Sequence, residues 1–384
     1  MSSFEDAMEV VAAYLDRGDG DATLLDRCVA LGEAAIPAVV EILQQEQAVP
    51  PLTALLMALP LKDPIAAFTP LAASNHVGVA RAGLAALGNS GDERALPILR
   101  DALGPWRIAA VSALGELGSP LGIPLLQREA ATMLPPGTGL RDARWGAARE
   151  LLDIELFAEI TIAQAKLGDH GAKDLAIQLA TLIDVDDPDA DADVRLTWVR
   201  TLAYLMGPGV AAAVRQATTD PDAEVAKEAM LQALYLGRAQ DASAWIAAIV
   251  EDRETAPRAL WCLEAWAGEH PTGEPGELVS GDDLLRWWER AERRFAPDVC
   301  YRLGRPAEIG ELIPLLPGDP MRLRRELRVR TGTRAILELR EGDAVSPGEQ
   351  AAVEAWWQVN TPRFPPGKLH RWGRSYEPSA VGAS

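Results

Sequence analysis

Apolar residues recur along the chain with the spacing of amphipathic helices, and part of the pattern occurs twice. The segments that begin at Val79 and at Trp106 align at an offset of 27 residues. In each segment, apolar positions at i, i+3, i+4 and i+7 mark one helix face, a glycine-containing turn follows, and a second short helix begins near a proline. The pattern therefore predicts a repeated two-helix hairpin. Its equivalent residues are Leu84 and Val111, Leu87 and Leu114, Gly88 and Gly115, Gly91 and Gly118, and Pro97 and Pro124.

A second pair of segments begins at Asp193 and at Glu224, at an offset of 31 residues. The turn Asp220-Pro221-Asp222 precedes the second copy. Aspartate accepts amide hydrogen bonds and proline fixes φ, so this turn should end one hairpin and cap the next helix. Weaker copies are predicted over residues 24–71, with a second helix starting at Ile36-Pro37, and over residues 141–185 and 255–268.

These hairpins resemble HEAT repeats. The resemblance implies an all-α fold, an α-solenoid of HEAT-like hairpins in which each hairpin contacts its neighbours and a concave surface is left for partners. An irregular helical bundle with chance periodicity is the alternative.

A tryptophan-rich helical module follows a Gly/Pro-rich break at residues 268–283, and this module is duplicated. Residues from Leu285 align without gaps with residues from Glu354, at an offset of 69. Each copy should open with a capped helix, marked by Ser280 and Asp283 in the first copy and by Ser346-Pro347 and Glu349 in the second. The identities are Trp287, Trp288, Arg294, Phe295, Pro297, Gly304 and Arg305 with Trp356, Trp357, Arg363, Phe364, Pro366, Gly373 and Arg374.

The two tryptophans of each pair should face different ways. Leu284, Trp288 and Phe295 fit one helix face, so Trp288 and Trp357 are predicted to point inward. Trp287 and Trp356, about 100° round the helix, should be more accessible. We therefore take the outer tryptophans and the nearby arginines as candidate partner-binding residues: Trp287, Trp356, Arg294, Arg363, Arg305 and Arg374. The alternative is a purely structural module that covers one end of the solenoid.

Four regions follow from these patterns: N-terminal helical hairpins at 1–72, a HEAT-like solenoid at 73–268, copy one of the module at 280–345 and a partial copy two at 346–384. The tryptophan-rich string from Trp287 to Pro306, with the arginine-rich segment downstream, resembles an uncharacterised bacterial family of HEAT-repeat proteins whose genes lie in type VI secretion clusters. The second copy departs from that family's pattern at His370 and Ser375, where the family has Tyr and Pro. The resemblance implies an accessory or scaffold role and no chemistry.

The charge and the cysteine content of the chain indicate which class of partner it binds and in which compartment it lies. The chain has 37 basic and 56 acidic residues, and residues 1–280 hold 20 basic against 41 acidic, a net charge of −21. Such a field repels phosphate backbones and attracts basic proteins, so we expect a protein partner with a basic or mixed-charge surface and no nucleic acid. The three cysteines lack CxxC spacing, and the chain shows no export signal and no apolar run of membrane-spanning length. A cytoplasmic location without membrane contact is expected.

Motifs for catalysis or metal binding fail their spacing tests. The acidic stretch at Asp187, Asp189, Asp191 and Asp193 lacks the glycine and the glutamate of a calcium loop, so it is interpreted as a helix-capping loop. The four histidines are scattered, and no nucleophile elbow, P-loop or dinucleotide fingerprint follows a predicted strand. We expect no cofactor, no metal and no enzyme activity.

The sequence thus predicts a non-catalytic HEAT-repeat scaffold or adaptor for protein–protein interaction, accessory to type VI secretion, with no small ligand. Arginine forks bind carboxylate or phosphate, and adjacent tryptophans add cation–π contacts. The alternative is therefore a regulatory adaptor that binds an anionic ligand or an acidic partner at the arginine- and tryptophan-rich module. An enzyme without a recognisable motif is a third reading.

Overall fold

The structure is a computed structural model of the 384-residue chain. It describes residues 4–16, 22–45, 50–133, 153–181, 192–205, 209–236, 239–251, 254–271, 279–296, 299, 301–318, 320–332, 345, 347–366, 369–371 and 374–376. The fold is all-α, an α-solenoid of helical hairpins, as predicted. The chain forms two compact units: Met1–Asp169 with Ile313–Phe364 and His370–Arg374, and His170–Leu312 with Pro365–Leu369 and Ser375–Ser384.

The described α-helices are α1 Phe4–Asp16, α2 Ala22–Leu31, α3 Ala35–Gln45, α4 Pro50–Ala58, α5 Pro64–Ala72, α6 Val77–Asn89, α7 Leu96–Ala102, α8 Arg107–Leu117, α9 Ile123–Met133, α10 Ile154–Leu167, α11 Lys173–Ala180, α12 Ala192–Leu202, α13 Val210–Ala217, α14 Ala223–Leu236, α15 Ala239–Glu251, α16 Ala256–Ala267, α17 Gly281–Ala291, α18 Ile309–Leu312, α19 Pro320–Thr331 and α20 Pro347–Asn360. Single 3-10 turns lie at Gly32–Ala34, Glu93–Ala95, Pro120–Gly122, Glu292–Arg294, Ile313–Leu315 and Thr361–Arg363.

Two short two-stranded sheets depart from the expectation of helices alone. They are β1 Tyr301–Arg302 with β2 Arg305–Pro306, and β3 Leu369–Arg371 with β4 Arg374–Tyr376. The first pair is antiparallel, with Tyr301 opposite Pro306 and Arg302 opposite Arg305. Strands of two or three residues are too short to show an alternating pattern of apolar and polar positions, so these strands could not be predicted from it.

The 27-residue repeat is confirmed as two hairpins in the first unit, α6 with α7 and α8 with α9. Glycines at equivalent positions of the two hairpins explain why this unit repeats every 27 residues. Gly91 and Gly118 both have positive φ, +65° and +75°, where each first helix ends. A Cβ on Gly88 would lie 2.6 Å from the Ala113 carbonyl oxygen, and one on Gly115 would lie 2.7 Å from the Ala163 Cα. Because they have no side chain, Gly88 and Gly115 let each first helix approach the next repeat closely.

Consecutive hairpins bury their apolar faces against one another, as a solenoid requires. In the first unit α6 packs on α5 and α8, and α8 packs on α10. One continuous apolar core runs from α1 to α10 and includes Val11, Leu56, Leu87 and Leu114. Burial within this core raises the pKa of the Cys28 thiol to about 11, so this cysteine is held as an unreactive thiol.

One stretch of described residues, Asp26–Gln45, is long and apolar enough to cross a membrane by length and composition alone. Its second half, α3, turns a buried face into the core of the first unit, as the core helix of a soluble protein does. That face consists of Ala35, Ala38, Val39, Ile42 and Leu43.

The 31-residue repeat is confirmed in the second unit, where α12 with α13 and α14 with α15 form successive hairpins. Asp222 caps α14, since its Oδ1 accepts hydrogen bonds from the amides of Glu224 at 3.0 Å and Val225 at 2.9 Å. Asp220 accepts a hydrogen bond from the Asp222 amide at 2.9 Å, as predicted for this turn. Asp220 also forms a bidentate pair with Arg195 of α12, at 2.8 and 2.9 Å, and both side chains are fully buried. The turn thus ties one hairpin to the next through a buried ion pair.

Several sequence predictions concern residues outside the described ranges. The acidic loop at Asp187, Asp189 and Asp191 lies outside them, whereas Asp193 stands in the first turn of α12 as expected. The weak repeat at 141–185 is described only from residue 153, where it forms α10 and α11. The four-region division of the chain stays a prediction.

The buried pair generates a stability prediction. Replacing Asp220 by alanine should lower the free energy of unfolding by about 3–5 kcal/mol, because the Arg195 charge would stay buried without its carboxylate. Urea denaturation of the purified variant measures this loss. Arg200→Ala is the matched control, since it breaks the more exposed pair with Glu228 and should cost less than about 1 kcal/mol. Equal losses in the two variants would contradict a special role for the buried pair.

Candidate functional site

The first copy of the tryptophan module begins with the predicted cap. The Ser280 hydroxyl oxygen accepts a hydrogen bond from the Asp283 amide at 3.2 Å, and the same hydroxyl donates to the Asp283 carboxylate at 2.6 Å. α17 follows, and its buried face carries Leu284, Trp287 and Ala291, with Phe295 just beyond the 3-10 turn.

The predicted orientation of the tryptophan pair is wrong. Trp287, expected to be accessible, is only 5% exposed, whereas Trp288, expected to be the inner residue, is partly exposed. Trp287 lies three residues after Leu284 and Trp288 lies four after it, and both spacings keep a residue near the same helix face. The hydrophobic pattern could not choose between them, and the deciding interaction is polar.

That interaction is a carboxylate shared by two donors of the module. Glu269, just after the end of α16, accepts a hydrogen bond from the Trp287 indole Nε1 at 2.8 Å. Its two oxygens also accept from the Arg294 guanidinium, at 2.5 and 3.2 Å. The hydrogen bonds from Arg294, and then the one from Trp287, hold the pKa of the Glu269 carboxyl below its usual range, because both favour the charged form.

Trp266, on the last turn of α16, is the centre of the aromatic packing. Its ring centroid lies 4.1 Å from that of Phe295, 5.7 Å from Tyr301 and 6.2 Å from Trp288. The ring centroid of Trp245 on α15 lies 6.2 Å from that of Trp266, in an edge-to-face contact. Aromatic pairs of this kind contribute about 0.5–1.5 kcal/mol each beyond the area they bury. The module therefore packs on α16, whose Trp266 also contacts α15.

The β1–β2 turn closes the end of α16 through its backbone. The amides of Leu303 and Gly304 donate to the carbonyls of Ala265 at 2.9 Å and Trp266 at 3.0 Å. These carbonyls lie in the last turn, where a helix has no internal partners for them. The approach is close, since a Cβ on Gly268 would lie 2.2 Å from the Leu303 carbonyl carbon. Copy one thus acts as a cap on the hairpin stack of its unit.

The second copy repeats this order of elements at the predicted offset. Its 3-10 turn, Thr361–Arg363, lies 69 residues after Glu292–Arg294, and β3 and β4 overlap the positions expected from β1 and β2. α20 starts at Pro347, so the proline occupies the first helical position as predicted. The duplication read from the sequence is therefore a duplication of structure.

Part of the side-chain geometry agrees between the two copies, although Trp356 and Trp357 contact Phe364 in copy two, whereas Phe295 packs on Trp266 in copy one. The tryptophan rings of each pair are 6.0 Å apart at 38° in copy one and 6.4 Å apart at 32° in copy two. Phe295 meets Tyr301 edge-on at 4.9 Å, and Phe364 meets His370 edge-on at 5.2 Å. The arginine before each phenylalanine lies over its ring, Arg294 at 5.3 Å and Arg363 at 5.7 Å.

The two copies differ in how far their side chains are exposed to solvent. Trp356 and Trp357 are both partly exposed, so the predicted distinction between an inner and an outer residue is absent in copy two. Val359 on the same helix is 79% exposed. Arg363 is exposed and donates to the Asn360 side-chain oxygen at 3.0 Å, and within the described part of the chain it forms no ion pair with a carboxylate.

The arginine-rich helix α19 carries buried charges that sequence reasoning missed. Leu323 and Leu327 are buried, but so are Arg324, Glu326 and Arg330, and Glu326 forms an ion pair with Arg330. Glu326 and Arg330 lie three and seven residues after Leu323, so the helical period alone places them on the apolar face. The side chains of Arg322, Arg325 and Arg328 are not among those described.

The remaining candidate residues lie in the hairpins. Arg305 is exposed on β2. Arg374 lies on β4, and its side chain is outside the described set. Of the six candidate residues, Trp287 and Arg294 meet at Glu269 in copy one, and Trp356 and Arg363 lie in the same aromatic cluster around Phe364 in copy two. Their role in binding a partner stays a prediction.

The arrangement suits recognition of acidic groups. In copy one an arginine guanidinium and an indole N–H meet at one carboxylate, and both are donors to such groups. Among the described residues, no group of three or more His, Cys, Asp or Glu side chains is placed to hold a metal ion.

Comparison with known families gives one match, and it falls on the hairpins of α6 to α9. Residues 79–104 and 106–130 match the PBS lyase HEAT-like repeat. The chain contains HEAT-like repeats. The two matched stretches start 27 residues apart, which is the offset read from the sequence.

Whole-chain comparisons are less informative. No curated protein matches the chain. The complex of CpcE and CpcF of phycocyanin lyase from Nostoc sp. PCC7120 is 17% identical, over 76% of this chain and 95% of that chain, with a TM-score of 0.32. An engineered protein is 16% identical, over 93% of this chain and 89% of that chain, also with a TM-score of 0.32. At TM-scores below 0.5, neither likeness bears on function.

The family match corrects one expectation. The chain was predicted not to be an enzyme, but its matching repeats are those of PBS lyases, which points to a lyase-related function. None of the matches shows that this chain is bacterial or that it is associated with type VI secretion, so both stay predictions.

The shared carboxylate generates a pH prediction. Because the pKa of Glu269 is lowered in the folded state, its contribution to stability is complete above the ordinary glutamate value of about 4.3 and is lost as the pH falls through the lowered value. Glu269→Gln should therefore be less stable than the wild type at neutral pH. The loss should be about 1 kcal/mol or less, since both partners are nearly half exposed.

Urea denaturation of both proteins between about pH 3 and pH 7 tests this, and the two curves of unfolding free energy should converge at the acid end. Glu289→Gln removes an exposed carboxylate from α17 and is the matched control for the loss of a negative charge. A difference between wild type and Glu269→Gln that stays constant over the whole range would contradict the assignment.

Proposed function

We propose that the chain is a HEAT-repeat scaffold that binds a protein partner, with the hairpin stack as its main docking surface and the second tryptophan module as a further contact. The observation that carries the proposal is the array of HEAT-like hairpins, two of which match the PBS lyase HEAT-like repeat. Stacked hairpins present a long surface formed by equivalent positions of successive repeats, which suits an extended macromolecule.

Charge supports a partner with basic or mixed-charge character. Residues 1–280 carry a net charge of −21, which steers cationic surfaces toward the repeats and disfavours nucleic acid. Cys28 and Cys262 are buried and form no disulfide, which suits the reducing cytoplasm that we propose as the cellular location.

A second candidate function is a lyase-related activity, and the family match is the observation that favours it. We would incubate the purified full-length chain with phycocyanin as a trial substrate and follow the visible absorption spectrum. This candidate predicts a time-dependent change that heat-denatured chain does not produce. An unchanged spectrum would argue against it.

The scaffold proposal is tested by affinity capture with the full-length chain from its own host, followed by titration of the purified pair. We expect a specific protein partner whose dissociation constant rises several-fold between about 50 and 300 mM salt, because screening weakens attraction to the acidic repeats.

Two results would contradict the scaffold proposal. One is capture of a small anion with no protein partner, which would favour the ligand-binding adaptor. The other is a protein partner whose affinity does not depend on salt, which would remove the acidic surface from the interaction.

A further inference from the structure

We propose that the exposed face of α20 binds a second copy of the chain, so that the α20 helices of two copies pack antiparallel about a two-fold axis at Ala355. This inference rests on the proposed function in one respect, because it names what the second tryptophan module, the further contact of the scaffold, binds. The hairpin stack stays free for the protein partner.

The α20 face is an exposed apolar side of the helix. Ala351, Ala355 and Val359 follow one another at four-residue spacing, so they lie on the same side of α20. All three are exposed, and Val359, at 79%, is the most exposed large apolar side chain of the described residues. Glu354 and Trp356 each lie one residue from Ala355, about 100° round the helix, so they flank the face and stay outside the contact.

Copy one shows the same face in a charged form. Six exposed positions of α17 and its 3-10 turn carry three acids and three bases: Asp282, Arg286, Glu289, Arg290, Glu292 and Arg293. At the 69-residue offset copy two has six residues that are also exposed but uncharged: Ala351, Ala355, Gln358, Val359, Thr361 and Pro362. One exposed apolar residue is ordinary, whereas the loss of every charge from one helix face indicates a contact surface.

Charge favours a second copy as the occupant. An uncharged face is best covered by another uncharged face, because a charged group buried against it would lose its hydration and gain no counter-charge. Residues 1–280 carry a net charge of −21, which opposes association of two copies through the repeats. Residues 281–384 hold 17 basic and 15 acidic residues, a net charge of +2, so the part of the chain that contains α20 does not oppose it.

The order of side-chain sizes on the face is self-complementary. Ala351 and Val359 each lie four residues from Ala355. In an antiparallel pair with its two-fold axis at Ala355, the valine of one copy lies opposite Ala351 of the other, and the two Ala355 side chains meet. Each large side chain thus faces a small one, which lets the helix axes approach to about 8 Å, the close end of the usual range. A parallel pair would instead place valine against valine.

The size of the face limits the affinity. α20 has 14 residues and is therefore about 21 Å long at 1.5 Å per residue. One pair of such helices should bury less than the roughly 1,200 Å² of a stable complex. We therefore expect a weak dimer, with a dissociation constant of about 10–100 µM.

Sedimentation equilibrium of the purified full-length chain, between about 1 and 200 µM, tests the proposal. Ala355→Arg and Val359→Arg restore the residues that copy one has at the equivalent positions, and each should raise the dissociation constant about tenfold or more. Ala247→Arg makes the same charge change at an exposed alanine of α15 and should leave the constant unchanged. A wild type that stays monomeric, or equal constants for wild type and Ala355→Arg, would overturn the proposal.

Cysteine cross-linking tests the register without adding charge. Under mild oxidation Ala355→Cys should form a disulfide-linked dimer, because only at the two-fold axis does a residue meet its own copy within disulfide reach. Ala351→Cys alone should stay monomeric, whereas its mixture with Val359→Cys should cross-link. The wild type gives the background, with Cys28 and Cys262 buried. Cross-linking of Ala351→Cys with itself as fast as that of Ala355→Cys would refute the antiparallel pairing.

Two further results separate this inference from the scaffold function. If the purified chain stays monomeric while a captured partner binds Ala355→Arg more weakly than wild type, the partner covers the α20 face and this inference fails, but the scaffold function stands. If the chain forms the expected dimer while no other protein is captured, this inference stands and the scaffold function fails.

Discussion

A helical hairpin cannot bury its apolar face alone, and the structure depends on how each hairpin finds a neighbour. Within each unit the next hairpin provides that neighbour, at distances that only glycine allows at Gly88 and Gly115. At α16 in the second unit, the first tryptophan module takes this role. Its turn amides satisfy the last carbonyls of α16, and its Phe295 stacks on Trp266. This closure brings Glu269, Arg294 and Trp287 together.

The two tryptophan modules have the same order of elements but differ in how their side chains are packed. Both modules have a tryptophan pair, an edge-on contact to the phenylalanine and an arginine over its ring. Their other ring contacts differ: Phe295 packs on Trp266 of α16 in the first module, whereas Phe364 contacts Trp356 and Trp357 in the second.

The sequence predicted those parts of the fold that depend on periodicity. The hairpins, the offsets of 27, 31 and 69, and the module's capped helix follow from apolar spacing and from glycine and proline positions. Polar interactions between distant residues were not predictable in this way. The ion pair of Asp220 was missed because its partner Arg195 lies 25 positions earlier, and Trp287 was placed outside because Glu269 follows a different helix. The β-hairpins were missed because their strands are only two or three residues long.

The first tryptophan module is closed over by α16 and the segment that follows it, so Trp287 is only 5% exposed, whereas Trp356 in the second module is partly exposed. Hydroxyl-radical footprinting of the full-length chain, with mass spectrometry of each tryptophan, tests it directly. The account predicts that Trp356 is oxidised several-fold faster than Trp287, its equivalent at the 69-residue offset. Equal oxidation rates at these two positions would contradict it.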